Sequence, residues 1–272
     1  MLRVGMSSCA FALDEVSFAS LAKAGIDCIE ISLHYTKHPE IDFAETARLS
    51  KEYGVALWSY HLPFAPPDVL DIASVDEGVR RRTVDHWGEL IRKGAEIGIR
   101  TFVVHPSSEP KCDGGEGRER EMCASMTSLA ALAEIAAREG GVIAVEDLPR
   151  TCLGRSAEEI ARLISADDRL RVCFDTNHLL IDNNLNFIDT LGDKIVTLHV
   201  SDYDFVDEKH WLPGEGKNDW REILAALCRV GYTGPWMYEL GLKAPATIMR
   251  ERDLTIADFK ANAEAVFERR LG

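Results

Sequence analysis

The chain has 272 residues, of which 46% are hydrophobic and 28% are charged. This apolar content excludes an intrinsically disordered chain, and 20 glycines with 10 prolines are too few for a collagen-like repeat. The formal net charge of −14 argues against nucleic acid or an anionic membrane as the main partner, because phosphate groups are bound by Lys and Arg. We also expect no membrane-spanning helix and no signal peptide, because no apolar run is long enough and the N-terminal segment soon reaches Asp14.

Seven cysteines are spread along the chain, an odd number without a CxxC pair. Cys28, Cys173 and Cys228 lie in apolar runs, and we predict that they are buried thiols. This usage favours a reducing, cytoplasmic compartment and argues against a cysteine-ligated zinc site.

Short apolar runs alternate along the chain with longer segments of helical spacing. The runs are rich in Val, Ile, Leu and aromatic residues, which is typical of buried parallel strands. In chain order, the predicted strands are Arg3–Ser8, Cys28–Leu33, Val55–His61, Thr101–His105, Val142–Glu146, Arg171–Asp175, Ile195–Val200 and Pro235–Leu240.

The segments between these strands carry helix start and stop signals. Ser156 with Glu159 forms a capping pattern, and Gly25 and Gly54 each end a helical pattern just before a strand. Strand, loop and helix repeat eight times in 272 residues. Each repeat is therefore about 34 residues long, which is the size expected of a βα unit. We therefore predict a (β/α)8 TIM barrel that forms a single domain over residues 1–272. A doubly wound open sheet is the alternative, but it usually has fewer strands and often a glycine-rich first loop.

Six of the eight predicted strands end in an ionisable residue that can bind a metal. Active sites of this barrel lie at the C-terminal ends of the strands, so these side chains should converge. Burial of a carboxylate at the end of an apolar run costs on the order of several kcal/mol unless a cation or hydrogen-bond donors compensate its charge. The six residues are His61, His105, Glu146, Asp175, His199 and Glu239.

Four of them, from the last four strands, form a mixed set of oxygen and nitrogen ligands. Three carboxylates with one imidazole suit one divalent ion, such as Mn²⁺, Mg²⁺, Co²⁺ or Zn²⁺. Each residue could instead cap a helix or pair with an arginine, but four on successive strands argue against that explanation for the group. The predicted ligands are Glu146, Asp175, His199 and Glu239.

Other residues near this rim keep two interpretations each. Glu30, in the middle of the second strand, either points into the barrel toward a polar partner or is structural. Trp58, Phe64 and Trp211 are either apolar walls of the pocket or core residues.

The segments at the strand ends, taken together, resemble one family. They are similar to the xylose isomerase-like TIM barrel superfamily, which includes sugar and sugar-phosphate isomerases and epimerases, inosose-handling enzymes and endonuclease IV-type AP endonucleases. The resemblance covers nearly the whole chain and is specific for the superfamily rather than for one reaction. The matching segments are HLPF at His61, VVHPS at His105, VEDLP at Glu146, FDTNH with Asp175 and His178, LHVSD at His199, PGEG with Trp220, and YEL at Glu239.

The resemblance to the isomerases and epimerases implies one divalent metal on the four predicted ligands. It also implies that Glu146 and Glu239 transfer a proton at the carbon beside a carbonyl, through a metal-stabilised enediolate. We therefore expect an isomerase or epimerase of a sugar, a sugar phosphate or a related polyol ketone. The residues then expected to bind the substrate are His61, His105, His178, Glu208 and His210.

The same resemblance implies a second function, that of an endonuclease IV-like, zinc-dependent AP endonuclease. In that branch, three zinc ions are bound, and residues matching His61 and His105 join Glu146 at one of them. Residues matching His178, Glu208 and His210 hold the third zinc, although the family has Asp where this chain has Glu208. The net charge of −14 and the acidic loops Ala65–Val79 and Tyr203–Asn218 argue against DNA binding. Lesser alternatives are a dehydratase or lyase and a non-catalytic metal-binding barrel.

The expected partner is therefore a small carbohydrate, and the resemblance leaves a homo-oligomer open. Arg150, Arg155 and Lys217 either bind a substrate phosphate or are surface charges, and we favour the surface. No glycine-rich loop of the phosphate-binding kind is present in the sequence.

Overall fold

The computed structural model describes residues 2–64, 66 and 68–268. Within them, eight parallel strands alternate with eight α-helices. The strands are β1 (Val4–Ser7), β2 (Cys28–Ile31), β3 (Ala56–His61), β4 (Thr101–Val104), β5 (Val142–Glu146), β6 (Arg171–Asp175), β7 (Ile195–His199) and β8 (Trp236–Tyr238). The helices are α1 (Glu15–Ala24), α2 (Phe43–Tyr53), α3 (Glu77–Glu96), α4 (Gly115–Arg138), α5 (Ala157–Ile164), α6 (Asn184–Leu191), α7 (Trp220–Arg229) and α8 (Ile256–Phe267).

The strands close into a barrel. Each pairs in parallel with its neighbour in sequence from β1 to β7, and β8 pairs with β1. Val200 and Tyr238 form a parallel bridge, and Val200 N–H donates to Met237 O at 2.8 Å, which joins β7 to β8. The predicted (β/α)8 barrel is confirmed, and the doubly wound open sheet is wrong.

The predicted bounds of β5 and β6 agree with the structure, whereas the other six strands are shorter than predicted. Five of these strands, β1, β2, β4, β7 and β8, end one or two residues earlier than predicted, and β3 starts one residue later. His105 and Glu239 therefore lie one residue beyond β4 and β8. Ala65 and Pro67 of the predicted acidic loop, and both ends of the predicted domain, are outside the described residues.

Local signals in the sequence set the helix ends. The side chain of Ser156 accepts a hydrogen bond from Glu159 N–H at the start of α5. Gly25 follows α1 with φ 75°, a left-handed conformation that a residue without Cβ adopts at little cost. At these two positions the helix begins and ends where the sequence signals predict.

Alternate strand residues face opposite sides of the barrel wall. Side chains such as Phe102, Val145 and Phe174 are fully buried in the main apolar core. Burial of each such side chain stabilises the folded state by roughly 1.5–3 kcal/mol. Val103, Ala144 and Cys173 belong to a separate small cluster. The residue two positions further along each of those strands is His105, Glu146 or Asp175, so these ionisable groups share the inward direction.

The seven cysteines are all free; Cys28 and Cys173 are buried, but Cys228 is exposed, so its predicted burial is wrong. It lies beside the buried stripe of α7, which consists of Trp220, Ile223, Ala226 and Leu227. In the part of the chain that is described, none of the helices has the length and hydropathy to cross a membrane.

Candidate active site

The four predicted metal ligands meet at the C-terminal end of the barrel. One oxygen or nitrogen atom of each lies within 4.8 Å of the corresponding atoms of the others. Glu146, Asp175 and His199 are buried, and Glu239 is partly exposed. Their strands are neighbours around the barrel wall, and each side chain points inward at a strand end.

Glu146 and Glu239 face the same ring nitrogen. His199 Nδ1 is 2.7 Å from Glu146 Oε1 and 3.2 Å from Glu239 Oε2. Two carboxylates this close need a positive group between them, because charges in a buried site are weakly screened. Burial opposes protonation of His199, but the surrounding carboxylates outweigh it and raise its pKa well above the ordinary value; these are Glu239, Glu30 and Glu146.

The opposite nitrogen of His199 is held by Glu30, whose role the sequence left open. His199 Nε2–H donates to Glu30 Oε1 at 2.9 Å, and Ser59 Oγ donates to Glu30 Oε2 at 2.7 Å. All three side chains are fully buried. The bond directs Nδ1 toward Glu146 and Glu239, as a carboxylate does behind a metal-binding histidine. The available signal was Glu30 itself, since a buried acid in an apolar strand needs a polar partner.

Glu146 also contacts two further histidines. Its Oε2 atom lies 3.0 Å from His61 Nε2 and 3.2 Å from His105 Nε2. Burial opposes ionisation of Glu146, but His199 and His105 outweigh it and hold its pKa well below the usual range. Burial likewise opposes ionisation of Glu239, and His199 lowers its pKa to about 2. Both carboxylates are therefore ionised at neutral pH.

Asp175 presents a buried oxygen without a hydrogen-bond partner. Its Oδ1 atom accepts from Asn177 N–H at 2.7 Å, whereas Oδ2 accepts no hydrogen bond. Oδ2 lies 3.5 Å from His178 Nδ1 and 4.0 Å from His199 Nδ1. Burial raises the pKa of Asp175 to about 6. A divalent cation would supply the positive charge that this oxygen lacks, so the four residues fit such an ion.

The end of β5 orients the neighbouring groups through Asp147. His178 Nδ1–H donates to Asp147 O at 2.8 Å, so Nε2 faces Glu208 Oε2 at 3.3 Å. Asp175 N–H donates to Asp147 Oδ1 at 2.7 Å. Asp147 thereby fixes both a predicted ligand and a predicted substrate-binding residue, and it was not itself among the predicted site residues.

Arg150 holds the loop that carries Glu208. Its three donor nitrogens bind three carboxylates: Nε to Glu109 Oε2 at 3.0 Å, Nη1 to Asp207 Oδ1 at 2.8 Å and Nη2 to Glu208 Oε1 at 2.9 Å. Burial opposes ionisation of Glu208, but His178 and Arg150 lower its pKa to about 2. Arg150 is exposed, as expected, and it also lines the cavity described next. Arg155 and Lys217 are not among the described residues lining that cavity.

A cavity of about 920 Å³ opens at this end of the barrel. Six of the predicted site residues line it: His105, Glu146, His178, Glu208, His210 and Glu239. His210 also donates from Nδ1–H to Glu239 O at 3.1 Å. His61, Asp175 and His199 are not among the described lining residues, and their burial places them behind Glu146 and Glu239.

The aromatic candidates divide between the cavity and other positions. Phe64 lines the cavity and stacks on His105, with ring centroids 4.1 Å apart. Trp58 lies earlier in β3, where its indole N–H donates to Thr197 Oγ1 at 3.2 Å and Arg3 covers its ring. Trp211 donates to Thr247 Oγ1 at 2.9 Å, and neither tryptophan is among the described lining residues.

One cysteine lies closer to the site than expected. The sulfur of Cys173 is within 4.8 Å of ligand atoms of Glu146 and His199. Burial raises the pKa of Cys173 well above its ordinary value, which keeps the thiol protonated. Cys173, Glu146 and His199 together form a buried group that could hold a metal ion, although no cysteine ligand was predicted.

Comparisons with known proteins point to one family. A D-psicose 3-epimerase from Agrobacterium fabrum is 24% identical over 237 residues, which are 84% of this chain and 79% of that protein. A probable endonuclease 4 from Thermoplasma acidophilum is 26% identical over 166 residues, which are 56% of this chain and 54% of that protein. The crystal structure of a D-tagatose 3-epimerase-like protein matches with a TM-score of 0.80 and 24% identity, covering 99% of this chain and 100% of the other.

The solved structure supports the barrel architecture. At 24% identity, a structural match is evidence for the fold alone. Residues 18–255, most of the chain, match the family model described as a xylose isomerase-like TIM barrel. This chain therefore belongs to the xylose isomerase-like TIM barrel family.

Proposed function

We propose that this protein is a metal-dependent epimerase or isomerase of a keto sugar, in which two glutamates move a proton. The observation that carries the proposal is the approach of Glu146 and Glu239 to His199 Nδ1, at 2.7 Å and 3.2 Å, beside a large cavity. Relatives named D-psicose 3-epimerase and L-ribulose 3-epimerase, which match 84% and 82% of this chain, support the same reaction class.

The two glutamates have complementary tasks. Both line the cavity, and as carboxylates both can accept a proton. One takes the proton from the carbon beside the substrate carbonyl and becomes a carboxylic acid. The other glutamate first takes a proton from solvent or from a substrate hydroxyl. It then delivers this proton to the opposite face of the same carbon, which inverts the configuration of that carbon. Delivery to the adjacent carbon gives isomerisation instead.

The proposed metal ligands are the four residues at the base of the site. A divalent ion held by Glu146, Asp175, His199 and Glu239 would supply Lewis acidity, which makes the C–H bond beside the carbonyl more acidic. Glu30 orients the ring of His199 through the hydrogen bond at Nε2. His61 orients Glu146 through the contact between its Nε2 atom and Glu146 Oε2.

The remaining lining residues are proposed to hold the substrate. His105 and His178 face the cavity beside Glu146, and the backbone bond of His178 to Asp147 fixes its ring. Glu208 and His210 reach the cavity from the loop after β7. Hydroxyl groups of a sugar can both donate to and accept from such side chains.

A zinc-dependent phosphodiesterase acting at abasic DNA sites is the second candidate. Ligand atoms of His61, His105 and Glu146 lie within 4.8 Å of one another, and a separate group of three does the same: His178, Glu208 and His210. However, Glu208 is already bound by Arg150, and a net charge of −14 would repel the DNA backbone. The epimerase or isomerase therefore ranks first.

Proton exchange with solvent tests the proposal. The protein is incubated in D₂O with Mn²⁺ or Co²⁺ and D-fructose, D-psicose or D-tagatose, and proton NMR follows the carbons beside the carbonyl. We expect deuterium incorporation together with an epimer or isomer. Glu146→Gln and Glu239→Gln should each lower the rate by at least about 100-fold, because each removes an acid–base group.

Glu264→Gln on α8 is the matched control, because this glutamate is exposed and is not among the described residues lining the cavity. It should exchange as the unmodified protein does. No exchange with any sugar and metal, or normal exchange in Glu146→Gln, would contradict the proposal. Cleavage of an abasic duplex by the same preparation would favour the phosphodiesterase.

A further inference from the structure

The cavity extends well beyond Glu146 and Glu239. Its volume of about 920 Å³ is near the upper end of small-molecule sites, which span about 300–1,000 Å³. A free ketohexose placed with its reacting carbon beside the two glutamates is smaller than the ligands that fill sites of this size. The rest of the cavity is therefore available to a further part of the substrate.

The loops that follow the strands give this further space an apolar wall. Phe64 connects this wall to the reacting groups: it stacks on His105 with ring centroids 4.1 Å apart, and His105 Nε2 lies 3.2 Å from Glu146 Oε2. Phe64 leaves 44% of its surface exposed, so part of its ring is open to a ligand. The apolar wall consists of Phe11, Leu33, Phe64, Leu148, Pro149 and Leu240.

The charge at the cavity is unsuited to a phosphate group. Histidines aside, Arg150 is the one cationic side chain among the described residues that line the cavity. Its three donor nitrogens already bind carboxylates of Glu109, Asp207 and Glu208. Three carboxylates against one guanidinium leave a negative balance, so a phosphate would have to displace one acid and be repelled by the others.

We infer that the substrate is a keto sugar without a phosphate group that carries an apolar substituent, and that this substituent packs on the apolar wall. The inference rests on the proposed function and adds which keto sugars the site selects. The reacting carbon lies beside Glu146 and Glu239, while the substituent covers side chains such as Leu33 and Phe64. Burial of apolar surface on both partners then favours the substituted sugar over the free one.

Four probes test this selection: D-fructose, its 1-O-benzyl and 6-O-benzyl ethers, and D-fructose 6-phosphate. The two ethers place an apolar group at either end of the sugar. Proton exchange in D₂O with Mn²⁺ gives kcat/KM for each probe. We expect one ether to exceed D-fructose at least about tenfold and the phosphate to fall below D-fructose.

Each other outcome has a distinct meaning. If D-fructose exceeds both ethers, or the phosphate exceeds D-fructose, the inference is overturned and the proposed function stands. If none of the four probes exchanges, the proposed function fails, and the inference fails with it.

Truncation of the wall gives a second test. Leu33 lines the cavity and is partly exposed, so Leu33→Ala removes wall surface from a loop position. We expect the ratio of kcat/KM for the preferred ether to that for D-fructose to fall about tenfold. Leu185→Ala on α6 removes the same atoms from a residue outside the described lining and should keep the ratio. An equal ratio in both variants would overturn the inference.

Discussion

Glu30 Oε1 accepts a hydrogen bond of 2.9 Å from His199 Nε2, and this bond decides which nitrogen of His199 faces the two glutamates. Ser59 fixes the other oxygen of Glu30 at 2.7 Å. A carboxylate behind a ligating histidine orients the ring and increases its basicity. Glu30 therefore influences the proposed metal site through His199 without being a ligand.

Glu30→Gln tests this relationship, because it keeps the side-chain size and removes the charge. We expect the affinity for Mn²⁺ to fall about 10- to 100-fold, as for other outer partners of ligating histidines. Titration of chelator-treated protein against a fluorescent competitor measures the affinity. Glu40→Gln is the control, since this exposed acid pairs with Lys37, and equal affinities in the two variants would contradict the role of Glu30.

Asp175→Asn should have opposite effects with and without metal. Burial raises the pKa of Asp175 to about 6, so its ionised form destabilises the fold progressively from pH 3.8, and the penalty is complete above pH 6. At pH 8 in chelator, removal of this carboxylate should raise the free energy of unfolding by about 1–3 kcal/mol. The increase in Tm caused by Mn²⁺ should shrink, because a ligand is lost.

Calorimetry with and without Mn²⁺ measures both effects. Asp193→Asn, which changes an exposed aspartate, is the control and should show neither of them. A full metal-dependent increase in Tm in Asp175→Asn would mean that Asp175 is not a ligand.

His210→Ala separates the two candidate functions. In an epimerase, His210 is a lining residue whose Nδ1–H also donates to Glu239 O at 3.1 Å, and its removal should lower kcat/KM by less than about tenfold. In a three-zinc nuclease it would be a ligand, and its loss would be severe. Exchange kinetics and metal content of the same variant provide the readout, and a severe loss of activity with loss of bound zinc would favour the nuclease.

The buried imidazole of His38 should make the free energy of unfolding depend on pH. It is buried, its Nε2–H donates to Leu33 O at 2.9 Å, and Nδ1 accepts from Tyr60 OH at 2.9 Å. Burial lowers the pKa of His38 from 6.5 to about 4, so the unfolded chain binds this proton at a higher pH than the folded protein. The stability present above pH 6.5 is therefore lost as the pH falls toward 4, by up to about 3 kcal/mol.

Urea unfolding across that pH window measures the loss. His38→Gln should flatten the acid side of the stability profile, whereas His34→Gln, an exposed histidine nearby, should keep it. Identical profiles for His38→Gln and the unmodified protein would contradict this assignment.

The convergence of the site was predictable because it follows from the barrel itself. Parallel strands bring their C-terminal ends to one rim, and Glu146 and Asp175 close apolar runs whose bounds agree with β5 and β6. Strand periodicity also directs alternate residues inward. Residue type and position along the chain were therefore enough to bring these carboxylates together with His199.

The partners in the supporting contacts were not predictable, because a buried acid such as Glu30 signals that it needs a polar partner but not which residue supplies it. Glu30 and His199 are 169 positions apart, and Arg150 binds acids from two different loops. The loops that carry these residues have no periodic sequence pattern, so the sequence does not indicate which of them meet across the cavity.

Elemental analysis of the purified protein tests the central claim most directly, since the claim is a single divalent ion on Glu146, Asp175, His199 and Glu239. We predict about one Mn, Co, Mg or Zn per chain, with most of it lost in Asp175→Asn and retained in Asp193→Asn. About three zinc ions per chain, or a metal content unaffected by Asp175→Asn, would contradict the account.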